Sequence, residues 1–108
     1  MIYLKDAPCA KGQSRACTLI AATTAGLRYL PIQMTAKQPL RELIIMLGHE
    51  LQHATEIGRD ARVVDAGTLY DLYRRIGFAA STVQDVFETT EARRTATTIR
   101  GELNRAGQ

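Results

Sequence analysis

Residues 27–58 read LRYLPIQMTAKQPLRELIIMLGHELQHATEIG, and within this stretch the hydrophobic period changes from that of a strand to that of a helix. From Leu27 to Thr35 the chain is β-prone, with Leu27, Tyr29 and Pro31 falling on one face by alternation. Pro31 has no N–H to give to a ladder, so the spacing predicts an edge strand or a bulge there. From Lys37 the period is helical. Pro39 suits the first helical position, and the pattern runs to about Ile57 with Gly58 as its stop. At about 100° per residue, Leu40, Leu43, Ile44, Leu47, Leu51 and Ala54 cluster on one side, the expected core face. His49 and His53 fall about 140–180° away, among Ile45, Met46 and Glu56, residues apolar enough to line a cleft.

Working outward, Ile2 to Lys5 reads as a short strand ended by Asp6-Ala7-Pro8, followed by a polar loop from Ala10 to Arg15. Thr18 to Thr23 reads as a second strand, and Thr24-Ala25-Gly26 as the turn that returns it to Leu27. Beyond the motif helix, Asp65 is a candidate N-cap for a helix through Leu69, Leu72, Tyr73 and Ile76 to Gly77. A third helix is expected to start near Ser81 to Gln84, which has the shape of a capping box, and to continue to about Ala106. Strands first and helices after define an α+β domain: a small antiparallel or mixed sheet of about three strands packed by three helices. No repeat or linker divides residues 1–108, which read as a single domain.

Composition narrows the function classes. With 108 residues, 45% hydrophobic and 23% charged, the chain is ordinary globular material with room for one core, which excludes disordered and collagen-like readings. The net charge of +3 is too small to imply a nucleic-acid partner. The arginines from Arg59 to Arg105 are interleaved with acidic residues, the pattern of solvated helix faces, so no nucleic acid is expected. The longest uncharged stretch, Ala16 to Leu27, is far short of the roughly 20 residues a membrane span needs, so no membrane is expected either. Met1 to Leu4 is followed at once by Lys5 and Asp6, so no signal peptide is visible. Opening directly on a strand-like run is what the core of a longer precursor would show, and the compartment stays open. Cys9 and Cys17 are too few for a disulfide scaffold; one small loop-closing bridge and two free thiols are both compatible with the sequence.

The chemically informative run is Leu47-Gly48-His49-Glu50-Leu51-Gln52-His53-Ala54, an H-E-x-x-H motif inside a helix that periodicity assigns independently. Histidines four apart lie one turn above each other on one helix face, so both imidazoles can reach one Zn²⁺. Glu50, beside the first of them, is then placed to act as general base on a metal-activated water. These are the only two histidines in the chain. A zinc site needs a third protein ligand, and Glu56, Asp60, Asp65, Asp71, Asp85, Glu88 and Glu91 are the candidates. Glu56 lies about 10 Å along the helix from His49, awkward for joining a metal held between the two histidines. Glu88 fits better. Ala92, Ala96, Ile99, Leu103 and Ala106 form an apolar stripe, and one step back along it puts Glu88 within about 40° of its centre. An inward carboxylate needs a partner, and a metal suffices. Glu91, about 80° off that stripe, is the second choice.

His49-Glu50-Leu51-Gln52-His53, followed by a later segment Phe87-Glu88-Thr89-Thr90-Glu91-Ala92, resembles the gluzincin branch of zincin metallopeptidases, and the small size is similar to its minimal members, the minigluzincins. The stretch Leu47 to Gly77, with Tyr73-Arg74-Arg75-Ile76-Gly77, also resembles uncharacterised bacterial proteins carrying a similar motif. The resemblance implies a zincin-like catalytic domain that hydrolyses peptide bonds in a peptide or protein substrate. It implies Zn²⁺ held by His49, His53 and a glutamate on a separate helix, here Glu88, with Glu50 as the base. It further implies that a strand edging the cleft, here Leu27 to Thr35, holds an extended peptide by main-chain hydrogen bonds. Tyr70, Tyr73 or an arginine would stabilise the oxyanion.

Overall fold

Among the described residues the elements follow in chain order: β1 (Ile2–Asp6), β2 (Ala16–Thr18), β3 (Thr23–Thr24), β4 (Leu27–Arg28), β5 (Leu30–Met34), α1 (Leu40–Gly58), α2 (Ala66–Ile76), β6 (Phe78–Ala79), β7 (Phe87–Glu88) and α3 (Thr90–Arg105). The structure, a computed structural model, describes residues 1–9, 15–21, 23–24, 27–79 and 87–107. β1, β5 and β2 form a three-stranded mixed sheet in that order, with β1 parallel and β2 antiparallel to β5. Two-stranded pairs β3·β4 and β6·β7 are the other sheet elements among the described residues of this α+β fold.

Of the edge or bulge that its missing N–H suggests, Pro31 takes no edge: it sits on the central strand of the sheet, where the ladder is irregular beside it. Its carbonyl accepts the Leu19 N–H at 3.0 Å, but it cannot return a donor, and the regular pairing of β2 ends one residue earlier at Thr18. Contact resumes at Ala21, whose N–H reaches the Tyr29 carbonyl at 2.8 Å. The proline is accommodated by interrupting the ladder, so the strand expected over Thr18 to Thr23 is split into β2 and β3. The Thr24·Leu27 pair closes the hairpin, and positions 25 and 26 between them lie outside the described residues. Cys9 and Cys17 are disulfide-bonded, with their Cα atoms 6.1 Å apart, tying the segment after β1 to β2.

α1 packs against α3 and against the sheet strands β2 and β5. Pro39 is its N-cap rather than its first helical residue. The buried positions are Ile45, Glu50, His53, Ala54 and Ile57, while Leu40, Ile44 and Leu51 are 71%, 38% and 40% exposed. The buried face is therefore turned by about a quarter turn from the apolar stripe. The cause is that α1 is covered from three directions. Leu43, Met46 and Leu47 pack on Ala16, Ile32 and Met34 of the sheet, and Ala54 and Ile57 join Leu30, Val63, Leu69, Leu72 and Tyr73 in a second cluster. On another side α3 approaches at Gly48, where a Cβ would lie 2.0 Å from Ile99 Cδ1. The exposed Leu40 and Ile44, with Leu4, Met34, Leu43 and Leu47, line an open apolar groove of about 310 Å³ beside β1.

The ends of α1 and α2 are fixed by polar contacts. Arg28 donates to the carbonyls of Ile57, Gly58, Asp60 and Val63 at 2.8–3.2 Å, closing the C-terminus of α1, where free carbonyls and the helix dipole favour a cation. Asp65 caps α2 in a capping box with Thr68, and the Gly77 N–H ends it on the Tyr73 carbonyl at 2.9 Å. The third helix begins later than the sequence suggests. Thr89 is its N-cap, accepting the Ala92 N–H, and residues 87–88 pair with β6 as a strand. The Ser81 to Gln84 capping box lies outside the described residues. Ala92 is buried and Ala96, Ile99 and Leu103 half-buried on the expected stripe, whereas Ala106 is exposed. Among the described residues, no helix is long and apolar enough to cross a membrane.

Candidate metal centre

Helical spacing places His49 and His53 one turn apart on α1, with ring centroids 4.8 Å apart and planes at 85°. His49, Glu50 and His53 each offer an atom within 4.8 Å of the others, a group that could hold a metal ion and one that does not include Glu88. Glu88 arrives from β7. Its Oε2 lies 2.8 Å from His49 Nε2 and its Oε1 lies 3.0 Å from His53 Nε2, so a single carboxylate spans both imidazoles. The Nδ1 atoms meet other carboxylates: Glu50 Oε2 at 2.7 Å from His49, and Glu56 Oε1 at 2.9 Å from His53.

Other elements hold these groups in place. Thr18 of β2 donates to Glu50 Oε1 at 2.8 Å, joining the sheet to the motif. The Thr89 hydroxyl donates to Glu56 Oε2 at 2.7 Å, and the Thr89 N–H to Glu88 Oε1 at 3.0 Å. Gly77 gives Glu88 its seat, because a Cβ there would stand 2.6 Å from the Glu88 carbonyl oxygen and 3.0 Å from that of Tyr73. The Tyr73 ring stands edge-on to His53, with centroids 5.4 Å apart.

The electrostatics follow from these contacts. Burial by itself lowers the pKa of His49, but hydrogen bonds to Glu50 and Glu88 outweigh it and raise the ring to about 9. Burial likewise opposes the charge on His53, and hydrogen bonds to Glu56 and Glu88 bring it to about 9. Burial pushes Glu88 upward, yet the two imidazoles hold it well below the ordinary carboxylate range. Glu56 is lowered in the same way by His53 and Thr89 against its burial. Burial, with the carboxylates of Glu56, Glu50 and Glu88 nearby, pushes the Tyr73 phenol up.

The donor set fits a zinc-like cation. Two imidazole nitrogens and a carboxylate are ordinary zinc ligands, and two ligands on a tetrahedral Zn²⁺ lie about 3.3 Å apart. The Glu88 oxygens at 2.8 and 3.0 Å from the Nε2 atoms need to open by only a few tenths of an ångström. With Nδ1–H held on Glu50 and Glu56, both histidines present Nε2 to a metal, the arrangement in which carboxylates orient metal-bound imidazoles.

Of the other candidates, Glu56 is at the site but on the ring nitrogen that faces away from Glu88. Glu91 points elsewhere: its side chain is 59% exposed and pairs with Arg94 at 2.9 Å. Asp60 is occupied by Arg62 and Arg75, Asp65 caps α2, Asp71 is exposed, and Asp85 lies outside the described residues. Tyr73 reaches the site, while Tyr70 is exposed under Arg74. Thr18 and Thr89 join the site without belonging to the motif. A threonine immediately after a candidate ligand and three residues before the apolar stripe at Ala92 is a cap signal that could have found the second; nothing local marks the first. The chain matches no family model, no curated protein and no solved structure.

Proposed function

We propose that this chain is a zinc-dependent hydrolase of peptide bonds, with His49, His53 and Glu88 holding Zn²⁺ and Glu50 as general base. The observation that carries the reading is the convergence of both His Nε2 atoms on one Glu88 carboxylate, with each Nδ1 backed by another carboxylate. When bound, Zn²⁺ supplies a Lewis acid that brings the pKa of water toward about 7 and polarises a carbonyl. Glu50 takes the proton from the attacking water and passes it to the leaving amine. Thr18 anchors Glu50 Oε1 while Oε2 faces His49 Nδ1, so the base role requires Oε2 to exchange His49 for the reacting water. β5 is the sheet's centre, so it cannot be the strand that holds an extended peptide; the outer edge of β2, whose Thr18 touches Glu50, takes that role.

A second reading has its own observation. Glu50 is only 3% exposed, and both its oxygens are engaged, on Thr18 and His49. That is the environment of a group that orients a ligand, and it favours a non-catalytic zinc-binding module. Glu50→Gln separates the two. The hydrolase reading expects a folded variant that keeps zinc and loses cleavage of a peptide library by at least about 100-fold. A zinc-loaded variant with unchanged turnover, or a wild type that binds zinc and cleaves nothing, favours the module.

A further inference from the structure

Glu56, an alternative third ligand by sequence, stands on the His53 Nδ1 side and bridges to Thr89. It follows His53 by three positions on α1, and its carboxylate is used at both oxygens: Oε1 against His53 Nδ1 at 2.9 Å, Oε2 accepting the Thr89 hydroxyl at 2.7 Å. Thr89 is 3% exposed. Its hydroxyl also accepts the Ala92 N–H at 3.2 Å, which uses the donor and an acceptor of that group together. The Thr89 N–H donates at 3.0 Å to Glu88 Oε1, the same oxygen that faces His53 Nε2 at 3.0 Å. The contacts close into a ring running His53, Glu56, Thr89, Glu88 and back to His53. That ring joins two ligand residues from elements far apart in the chain, α1 and β7, through the first turn of α3.

We infer that Glu56 and Thr89 are a positioning pair that sets His53 Nε2 and Glu88 at the separation a single metal ion needs. The inference rests on the proposal that His53 and Glu88 hold zinc. Neither residue touches the metal: Glu56 lies on the far nitrogen of the ring, and Thr89 acts through its neighbours. Ordering both ligands before the metal arrives removes a cost that binding would otherwise carry, which is why partners of this kind are worth about 10–100-fold in metal affinity.

The chemistry selects the variants. A carboxylate accepts at two oxygens, whereas a carboxamide has one accepting oxygen and one donating nitrogen, so Glu56→Gln cannot accept from both Thr89 and His53. Glu56→Gln leaves the hydroxyl free to cap α3. Thr89→Val removes the hydroxyl and the cap, and Thr89→Ser keeps both. Zinc affinity is read by competition with a chromophoric chelator, beside a thermal melt of each metal-free variant. Glu56→Gln is expected to bind zinc about 10–100-fold more weakly than wild type at a temperature where its metal-free form is fully folded. Thr89→Val should weaken binding as well, and Thr89→Ser should restore it. Wild-type affinity in Glu56→Gln, or equal loss in Thr89→Ser and Thr89→Val, overturns the positioning role while zinc binding by the wild type stands. A wild type with no zinc affinity overturns the zinc reading and this inference with it.

Discussion

Each histidine of the candidate metal centre meets a carboxylate at both ring nitrogens, and this governs how the metal-free protein responds to pH. His49 and His53 are raised from 6.5 to about 9, so their contribution to stability is complete below 6.5 and is lost as pH climbs through 9. Glu88 and Glu56 are lowered from 4.5, so theirs is complete above 4.5 and is lost on acidification. Melting of the chelator-treated protein should therefore be highest between about pH 4.5 and 6.5 and fall on the alkaline side between 6.5 and 9. A midpoint unchanged from pH 6 to 9 would contradict the ring contacts on which the site is built. His49, Glu50 and His53 were legible because four-residue spacing on a helix is local information. The helical step that singles out Glu88 does not apply, because α3 begins only at Thr90; Glu88 reaches the histidines from β7, paired with Phe78. Thr18 was not legible, since it reaches Glu50 from a strand 32 positions earlier and no local pattern marks it.

The junctions between elements carry most of the differences between sequence and structure. Helix α2 was readable at both ends, from Asp65 to Gly77, because caps are written in adjacent residues. Pro31 misled because a proline's ladder cost is local, whereas its position in the sheet is set by which strands arrive on either side, β1 and β2. The face of α1 misled for a related reason: Glu50 and His53 are buried by partners from β2 and β7 that no stripe count includes. The β6·β7 pair, too short for a strand signal, decides where Glu88 stands, and Gly77 decides how closely it approaches α2. Gly77→Ala places a methyl group against the Glu88 and Tyr73 carbonyls, backbone atoms that cannot rotate away. A destabilisation of about 1–3 kcal/mol in urea titration is expected, together with weaker zinc binding through displacement of Glu88. A variant with wild-type stability and affinity would show that β7 is not seated by this contact.

Taken whole, the molecule is organised around one helix shared by three neighbours. Among the described residues the sheet, α3 and the α2–β7 corner each cover part of α1, and the candidate centre lies where they meet, with His49, Glu50 and His53 from α1, Glu88 from β7, Thr18 from β2 and Thr89 from the start of α3. The strands-then-helices order was enough to give the α+β class, since it needs only periodicity and turn residues. It could not give the convergence of α1 and β7, which depends on long-range packing.

The most direct test is metal content by elemental analysis of protein purified without chelator or histidine tag, comparing wild type with Glu88→Ala and Glu91→Ala. Wild type and Glu91→Ala should each carry about one zinc per chain, because the Glu91 side chain is exposed and paired with Arg94. Glu88→Ala should lose that zinc, its third ligand being gone. A wild type without metal after zinc is added back at neutral pH, or a Glu88→Ala variant that keeps its full equivalent, would contradict a site built from His49, His53 and Glu88.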